Sequence, residues 1–532
     1  MTDFWFDQKH NVLIYPSAYS SNVQQAIPEA RTINGHYLAV PRTLRNCQVL
    51  RHFNYPVVPI MDDYSWPAPP GLKPYESQKI AANFLVTHPR CFNLSDMGTG
   101  KTNAVLWAAD WLMRKYPKGS CRALLITPLS ILQRVWGDAI FKNFLGNRTY
   151  EILHGTAEQR LSALERDADF YIVNFDGVGT GAHTRKRLEL DGFSKALADR
   201  ADIRIAIVDE ASAYKDSTTK RHRLARLVFG QKEYLWLLSG TPTANAPTDA
   251  YGLAKLVNNA HGKSFTNFKL DTMYQAFPNS FKWLPKKDGY DKARKLLQPS
   301  IRFDIKDVWD APELTTQQRE VPLTDQQKKL MADLKRDFVV RVKSGEPISA
   351  ANEAAARQKF IQISLGAIYD ASHKSHLLDA KPRMEELKAV IREAPGKILI
   401  FAPLTSIVNL LYKELSDWSR EIVNGDVGQK ERNRIFSDFQ SGAEPRLLIA
   451  DSRTMAHGLN LWMAQTVVWY GPVDSAELYL QANKRAHRPG QKFPVTVVQL
   501  VSNLLEREIY RRLETNTSLQ GALLDIVRKG EL

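Results

Sequence analysis

Seven residues, Asp96-Met97-Gly98-Thr99-Gly100-Lys101-Thr102, follow the short apolar run CFNL and precede the helix-like stretch NAVLWAADWLMRK. A glycine-rich turn feeding a helix N-terminus gathers backbone amides into a nest for phosphate. In that setting Lys101 reaches the β- and γ-phosphates and the Thr102 hydroxyl binds Mg²⁺, so the spacing predicts a nucleotide-binding loop with Mg²⁺. Met97, Gly98, Thr99 and Gly100 would line the nest. Ser95 stands where the GxxxxGK[ST] pattern has its first glycine, so the strict pattern is incomplete.

Asp209-Glu210-Ala211 closes the apolar run RIAIV, 108 residues after Lys101. An acidic pair leaving the carboxyl end of a parallel strand beside a phosphate loop can hold Mg²⁺ through Asp209 and orient the attacking water through Glu210. Thr102 and Asp209 are therefore the expected metal ligands. An acidic triplet alone often does no more than end a strand in solvent. Its weight here comes from the order strand, loop, helix, further strands, then acidic pair.

Those side chains need a scaffold, and the apolar runs describe one. RALLITP, DFYIVNF, RIAIVDE and YLWLLSG form one set, and KILIFAP, RLLIAD, TVVWYG and PVTVVQLV a second. Short β-rich runs bounded by turn residues and alternating with amphipathic stretches read as buried parallel strands. The expected fold class is α/β, with two parallel-sheet lobes, helical insertions and a small N-terminal accessory region. The expected divisions are 1–70 for that accessory region, 71–300 for the first lobe, 301–390 for a linker and helical insertion, and 391–532 for the second lobe with its tail. In the insertion, Thr324 and Gln327 are spaced for a capping box, with Leu330, Met331, Leu334 and Phe338 on one helical face. The prolines of DDYSWPAPPGLKP make 62–74 an expected linker.

Composition narrows the class. At 532 residues, with 44% hydrophobic and 24% charged side chains, the chain suits two or three packed units and excludes a small binding module or a disordered protein. Lys and Arg total 72 against 57 Asp and Glu, a net +15 that points to a polyanionic partner. Three cysteines without metal-ligand spacing fit a reducing compartment. The N-terminus MTDFWFDQKH lacks a signal pattern and no apolar stretch approaches 18 residues, so the expectation is an intracellular, cytoplasmic protein with no membrane partner.

The segments LKPYESQKIAANFL, DMGTGKT, LLITPLSILQRVW, YIVNF, VDEA, LSGTPTAN, KILIF, GDVGQKERNRIFSDF, HGLNL and QANKRAHRPGQ occur in the order of the superfamily-two helicase motifs. In detail the chain resembles the Swi/Snf-type DNA translocases over about residues 72 to 513. That resemblance implies two RecA-like lobes, with ATP bound in the cleft between them and nucleic acid crossing both. It implies that Gln78 reads adenine with Tyr75 nearby, and that Ser239-Gly240-Thr241-Pro242 couples nucleotide state to nucleic acid. Arg485 and Arg488 match the arginines that the second lobe offers to the γ-phosphate, with Gln481 one helical turn earlier and Gly458 among the nucleotide-binding positions. Arginines at i and i+3 would share one helix face and stabilise transition-state charge. Lys101, Asp209, Glu210, Arg485 and Arg488 are thus the expected catalytic set.

For DNA contact the resemblance points to Pro128, Leu129 and Ser130 in the first lobe and to Ser452 and Arg453 in the second. Lys215, Lys220, Arg221, Arg223 and Arg226 could add charge, or could be an ordinary solvated helix face. Ser212 stands where His or Gln usually follows the acidic motif, Met455 and Ala456 replace two glycines, and GPVDSAELY replaces the usual Trp-Asn-Pro stretch. These departures resemble compact phage-encoded and annealing-helicase-like members. The implied activity is a DNA-stimulated ATPase translocating on duplex or branched DNA independently of sequence. The alternatives are a strand-separating DNA or RNA helicase, or the motor subunit of a larger DNA-processing assembly.

Overall fold

The computed structural model describes residues 4–16, 20–69, 73–179, 182–183, 188–243, 246–276, 283–343, 350–370, 372, 374–454, 461–515, 519, 522–523 and 526. Internal contacts divide the chain into two units: Met1–Pro242 with Thr248–Lys269 and Asp291–Val308, and Thr243–Pro247 with Leu270–Tyr290 and Trp309–Leu532.

The main sheet of the first unit has seven parallel strands, in the order Ser300–Ile301, Arg90–Asn93, Tyr234–Leu238, Ile203–Val208, Arg122–Thr127, Phe170–Asn174 and Tyr150–Leu153. Side chains alternate across a strand, and here both faces are covered. Leu124, Ile126, Ala206, Val208, Leu235 and Leu237 pack into one core, whereas Ala123, Leu125, Ile205, Ile207, Trp236 and Leu238 pack into the other. This double burial is why the strands read as continuous apolar runs. The second unit repeats the arrangement in six parallel strands: Leu314–Glu320, Val495–Val501, Ala464–Trp469, Lys397–Ala402, Leu447–Asp451 and Arg420–Val423. Both are RecA-like α/β lobes, as the fold expectation had it.

Two organisational expectations need correction. Leu314–Glu320 lies in the stretch read as linker and insertion, yet it pairs along its whole length with Val495–Val501 as the edge strand of the second sheet. Its residues LTTQQRE are mostly exposed, so it lacks the apolar run that marks a central strand. The proline-rich segment is also no free linker where it is described. Met61 and Tyr64 are buried in the first lobe, the Tyr64 hydroxyl donates to Asp110 at 2.7 Å, and the Trp107 indole donates to the Pro67 carbonyl at 2.6 Å. Asp110 is itself buried and paired with Arg148 at 2.7 Å and Arg114 at 2.8 Å. Residues 70–72 of that segment lie outside the described residues.

N-terminal to this, Trp5–Asp7, Val12–Pro16, Tyr37–Pro41 and Arg31–Ile33 form an antiparallel sheet with a core of its own around Leu13, Tyr15, Leu38 and Val40. In the helical insertion the capping box forms. The Thr324 amide donates to Gln327 Oε1 at 3.0 Å, and the Gln327 amide donates to the Thr324 hydroxyl at 3.3 Å. The helix Asp325–Lys343 follows, and its Met331 and Leu334 pack on the second-lobe core. The Phe338 side chain lies outside the description. Among the described residues no helix is long and apolar enough to cross a membrane.

Candidate nucleotide site

Register brings the first-lobe motifs to one edge. Asn93 lies beside Leu238, and Val208 lies beside Leu237 on one side and Ile126 on the other. The carboxyl ends of four adjacent parallel strands therefore release the glycine-rich loop, the Ser239-Gly240-Thr241 turn, the acidic pair and the Pro128 segment at one level. Open α/β sheets bind their ligands at this edge.

The loop is shaped by two glycines in the left-handed region, Gly98 at φ 89° and Gly100 at φ 79°. Gly100 precedes the helix Lys101–Lys115, whose residues from Ala104 to Met113 are buried. That burial holds the helix N-terminus, with its outward amides, in place. A Cβ on Gly100 would stand 1.8 Å from Gln78 Nε2, so only glycine lets that side chain lie against the loop. Gln78 is 5% exposed; its Oε1 accepts the Tyr75 amide at 2.9 Å and its Nε2 donates to the Gly100 carbonyl at 3.3 Å. Tyr75 itself is exposed. Gly240 backs onto the loop as well, since a Cβ there would meet Met97 Cγ at 3.2 Å. Thr99 closes the turn by donating from its hydroxyl to the Asp96 carbonyl at 2.8 Å.

Lys101 lies in the concavity of this loop, its ammonium donating to the carbonyls of Ser95 at 2.7 Å and Asp96 at 2.9 Å. Ser95 explains the incomplete glycine pattern. Its φ is not positive, so glycine is not required there, and its hydroxyl accepts the Phe303 amide at 3.2 Å, fastening the loop to the chain beyond the edge strand. Asp96 extends the same link toward Arg302 at 3.5 Å.

Asp209 leaves its strand with one carboxylate oxygen accepting the Glu210 amide at 3.0 Å and the other accepting the Trp136 indole N–H at 3.0 Å. Glu210 is in the left-handed region at φ 50°, an uncommon conformation for a residue with a Cβ and one that concentrates at functional sites. Below it Tyr214 is wholly buried, edge-on to Phe175 and Phe229, which anchors the turn. ATP and Mg²⁺ fit the chemistry of these residues: two left-handed glycines, a helix N-terminus, a lysine in the concavity, and oxygen donors available on Thr102 and Asp209.

In the second lobe, Arg485 lies in the last turn of the helix Ala476–Ala486 and is 2% exposed, as is Gln481, which donates to Glu477 at 3.1 Å. The helix ends before Arg488, so the two arginines do not share a helix face. They still feel one another: burial and the neighbouring Arg485 push Arg488 down to about 9. Gln491 holds the turn behind them by donating to the carbonyls of Trp462 at 2.7 Å and Ala464 at 2.9 Å. Gly458, with Met455 and Ala456, lies outside the described residues.

Among the expected DNA contacts, Leu129 is 54% exposed and the Arg453 side chain 61%. Ser452 is wholly buried, so its side chain does not face a ligand on the surface. Part of the basic stretch is engaged within its own lobe, Arg221 on the helix Lys220–Val228 with Asp176 at 2.6 Å and Lys215 before that helix with Asp249 at 3.7 Å. Trp136 and Asn143, which donates to Asn103 at 3.2 Å, are site residues that sequence reasoning missed. Their partners stand 73 and 40 positions away, a distance no local pattern encodes.

Residues 90–364 match the SNF2-related domain and residues 382–490 the helicase conserved C-terminal domain. Protein p41 of Acyrthosiphon pisum secondary endosymbiont phage 1 is 24% identical over 489 residues, which cover 86% of this chain and 98% of p41. The chromodomain-helicase-DNA-binding protein 1-like of Mus musculus is 24% identical over 489 residues, again 86% of this chain but 50% of that protein. The chain thus spans about half the length of that larger relative. The solved SWI2/SNF2 ATPase core of Sulfolobus solfataricus in complex with dsDNA is 20% identical, with 87% of this chain and 95% of that chain covered and a TM-score of 0.38. Since the first domain match alone takes in over half of the 532 residues and the second continues it, the chain belongs to the SNF2-related family of helicase-type ATPases.

Proposed function

We propose that the protein is a DNA-stimulated ATPase that moves along duplex or branched DNA without reading its sequence. The observation that carries this reading is the convergence, at one sheet edge, of the Lys101 loop, the Asp209–Glu210 pair and the Gly240 turn that touches Met97. Mg²⁺ held by Thr102 and Asp209 would neutralise charge on the phosphates. Lys101 binds the phosphates, Gln78 and Tyr75 face the base, and Glu210 orients water for attack. Arg485 and Arg488 supply positive charge in the transition state. The Gly240 turn, sharing the loop's surface, links the phosphate loop to the chain that follows it. The net +15 and the exposed Leu129 and Arg453 support a phosphate-tracking grip, which suits a motor that must move along any sequence.

The test is the ATPase rate with duplex, forked, single-stranded and RNA ligands at matched nucleotide concentration. Duplex and forked DNA are expected to stimulate most, with an affinity that falls by about 0.9 log units per log unit of salt for each duplex phosphate neutralised. Equal rates with and without every DNA would overturn the reading. A strong preference for one short sequence over scrambled duplex would replace it with a site-specific module.

A further inference from the structure

Trp136 has no part in the reading above, yet it is wholly buried and its only polar atom meets Asp209. An indole N–H donates and cannot accept, so the bond to Asp209 Oδ2 has one direction. With Oδ1 taking the Glu210 amide, each carboxylate oxygen has its own donor. A free carboxylate torsion is a broad two-fold rotor, and two donors on two oxygens select one orientation.

The chain that carries Trp136 is shaped to hold it there. After the Pro128 strand end comes a tight turn, Leu129–Ile131, and then a π-helical turn, Leu132–Gly137. Turns of that wide type are rare and collect at functional sites. The π turn is braced, since Gln133 donates to the Tyr150 hydroxyl at 2.8 Å and a Cβ on Gly137 would meet the Tyr150 ring at 3.1 Å. The chain continues into the helix Asp138–Phe144, where Asn143 reaches Asn103, the neighbour of Thr102. One segment thus touches an expected metal ligand directly and the other through its neighbour.

We infer that Trp136 is a positioning residue: its N–H orients the Asp209 carboxylate for Mg²⁺ and so sets the metal affinity of the nucleotide site. The inference rests on the proposed assignment of Asp209 as a metal ligand. Partners of this kind, one step out from the metal, typically contribute ten- to a hundred-fold to metal affinity.

The experiment uses the full chain and a readout other than turnover: Mn²⁺ binding in the presence of ADP, followed by electron paramagnetic resonance. It compares the parent, Trp136→Phe, and a chain with Trp136 replaced by 3-benzothienylalanine, which keeps the ring shape and lacks the N–H. Both variants are expected to bind Mn²⁺ about ten-fold or more weakly, with ADP affinity in EDTA unchanged. The isostere alone decides if the Phe variant does not fold. Parent-like Mn²⁺ affinity in the isostere would overturn the inference and leave the bond as mere satisfaction of a buried indole. Failure of the parent to take up Mn²⁺ with ADP, or full uptake by Asp209→Asn, would instead overturn the metal assignment beneath it.

Discussion

The two lobes carry their chemistry in different electrostatic settings. In the first, Asp209 and Glu210 are half-buried at a strand end and Lys101 is half-buried at a helix start, beside the backbone amides of the glycine-rich loop. In the second, Arg485 is almost wholly buried and Arg488 is driven down by burial and by its like-charged neighbour. A nest of amides carries no net charge and can be built into a folded lobe at little cost. Desolvated guanidinium groups near one another repel, which makes such a setting more costly to build. The first setting adds no net charge to its lobe, whereas the second places like charges near one another.

The largest effects should come from breaking the first setting. Glu210→Gln is expected to abolish hydrolysis and still trap ATP, because the loop and the metal ligands remain. Lys101→Ala should lose both. Filter binding of ATP alongside steady-state turnover separates the two, and near-parent turnover in Glu210→Gln would remove Glu210 from the mechanism.

For the second setting, Arg485→Ala and Arg488→Ala should each lower kcat by a factor on the order of a thousand, with nucleotide affinity changed far less. Full DNA-stimulated activity in both variants would show that the second lobe does not act on the phosphate.

A third measurement sharpens the comparison by asking what it takes to bury charge stably in the same lobe. Arg383 and Glu506 are both buried and paired at 2.7 Å, and Glu506 also accepts the Ser502 amide. Glu506→Ala leaves an arginine unpaired in the core and should cost about 3–5 kcal/mol in a denaturant titration of the full chain. A loss below about 1 kcal/mol would mean that the second lobe tolerates a buried arginine without its carboxylate at little cost.

The smallest effect belongs to the first lobe. His88 stacks on Phe84 at the end of the helix Glu76–Thr87, which carries Gln78, and burial pushes it down to about 4. The unfolded chain, with an ordinary histidine near 6.5, takes the proton first. Stability is then present above about pH 6.5 and is lost as pH falls toward about 4. Thermal unfolding of His88→Phe, which cannot titrate, should show a shallower slope across that window; an unchanged slope would assign the acid sensitivity elsewhere.

Much of the scaffold was legible because buried parallel strands announce themselves. RALLIT, FYIVN, IRIAIV, YLWLL, KILIFA, LLIAD, AQTVVW and VTVVQLV are all strands of the two sheets. Leu314–Glu320 and Arg420–Val423 were not read, since edge strands face solvent and their polar residues break the pattern. The Arg488 geometry was misread because i, i+3 spacing presumes a continuous helix, and this helix stops at Ala486.

By itself the sequence determined the groups whose meaning is local: the glycines that make the loop, the lysine and threonine that follow it, the acidic pair at a strand end, and the capping box of Thr324 and Gln327. Each depends on neighbours within a few residues, where backbone stereochemistry leaves few choices. Only the tertiary structure decided what meets across the sheet. It laid Gln78 on Gly100, backed Gly240 onto Met97, buried Ser452 and brought the Trp136 indole to Asp209. Such contacts are fixed by strand order and helix packing, and any apolar or small residue pattern is compatible with many of those. Desolvation is likewise a property of the packed lobe, which is why the strings NKRAHR and VDEA could name charged residues and could not say how much their charges would cost.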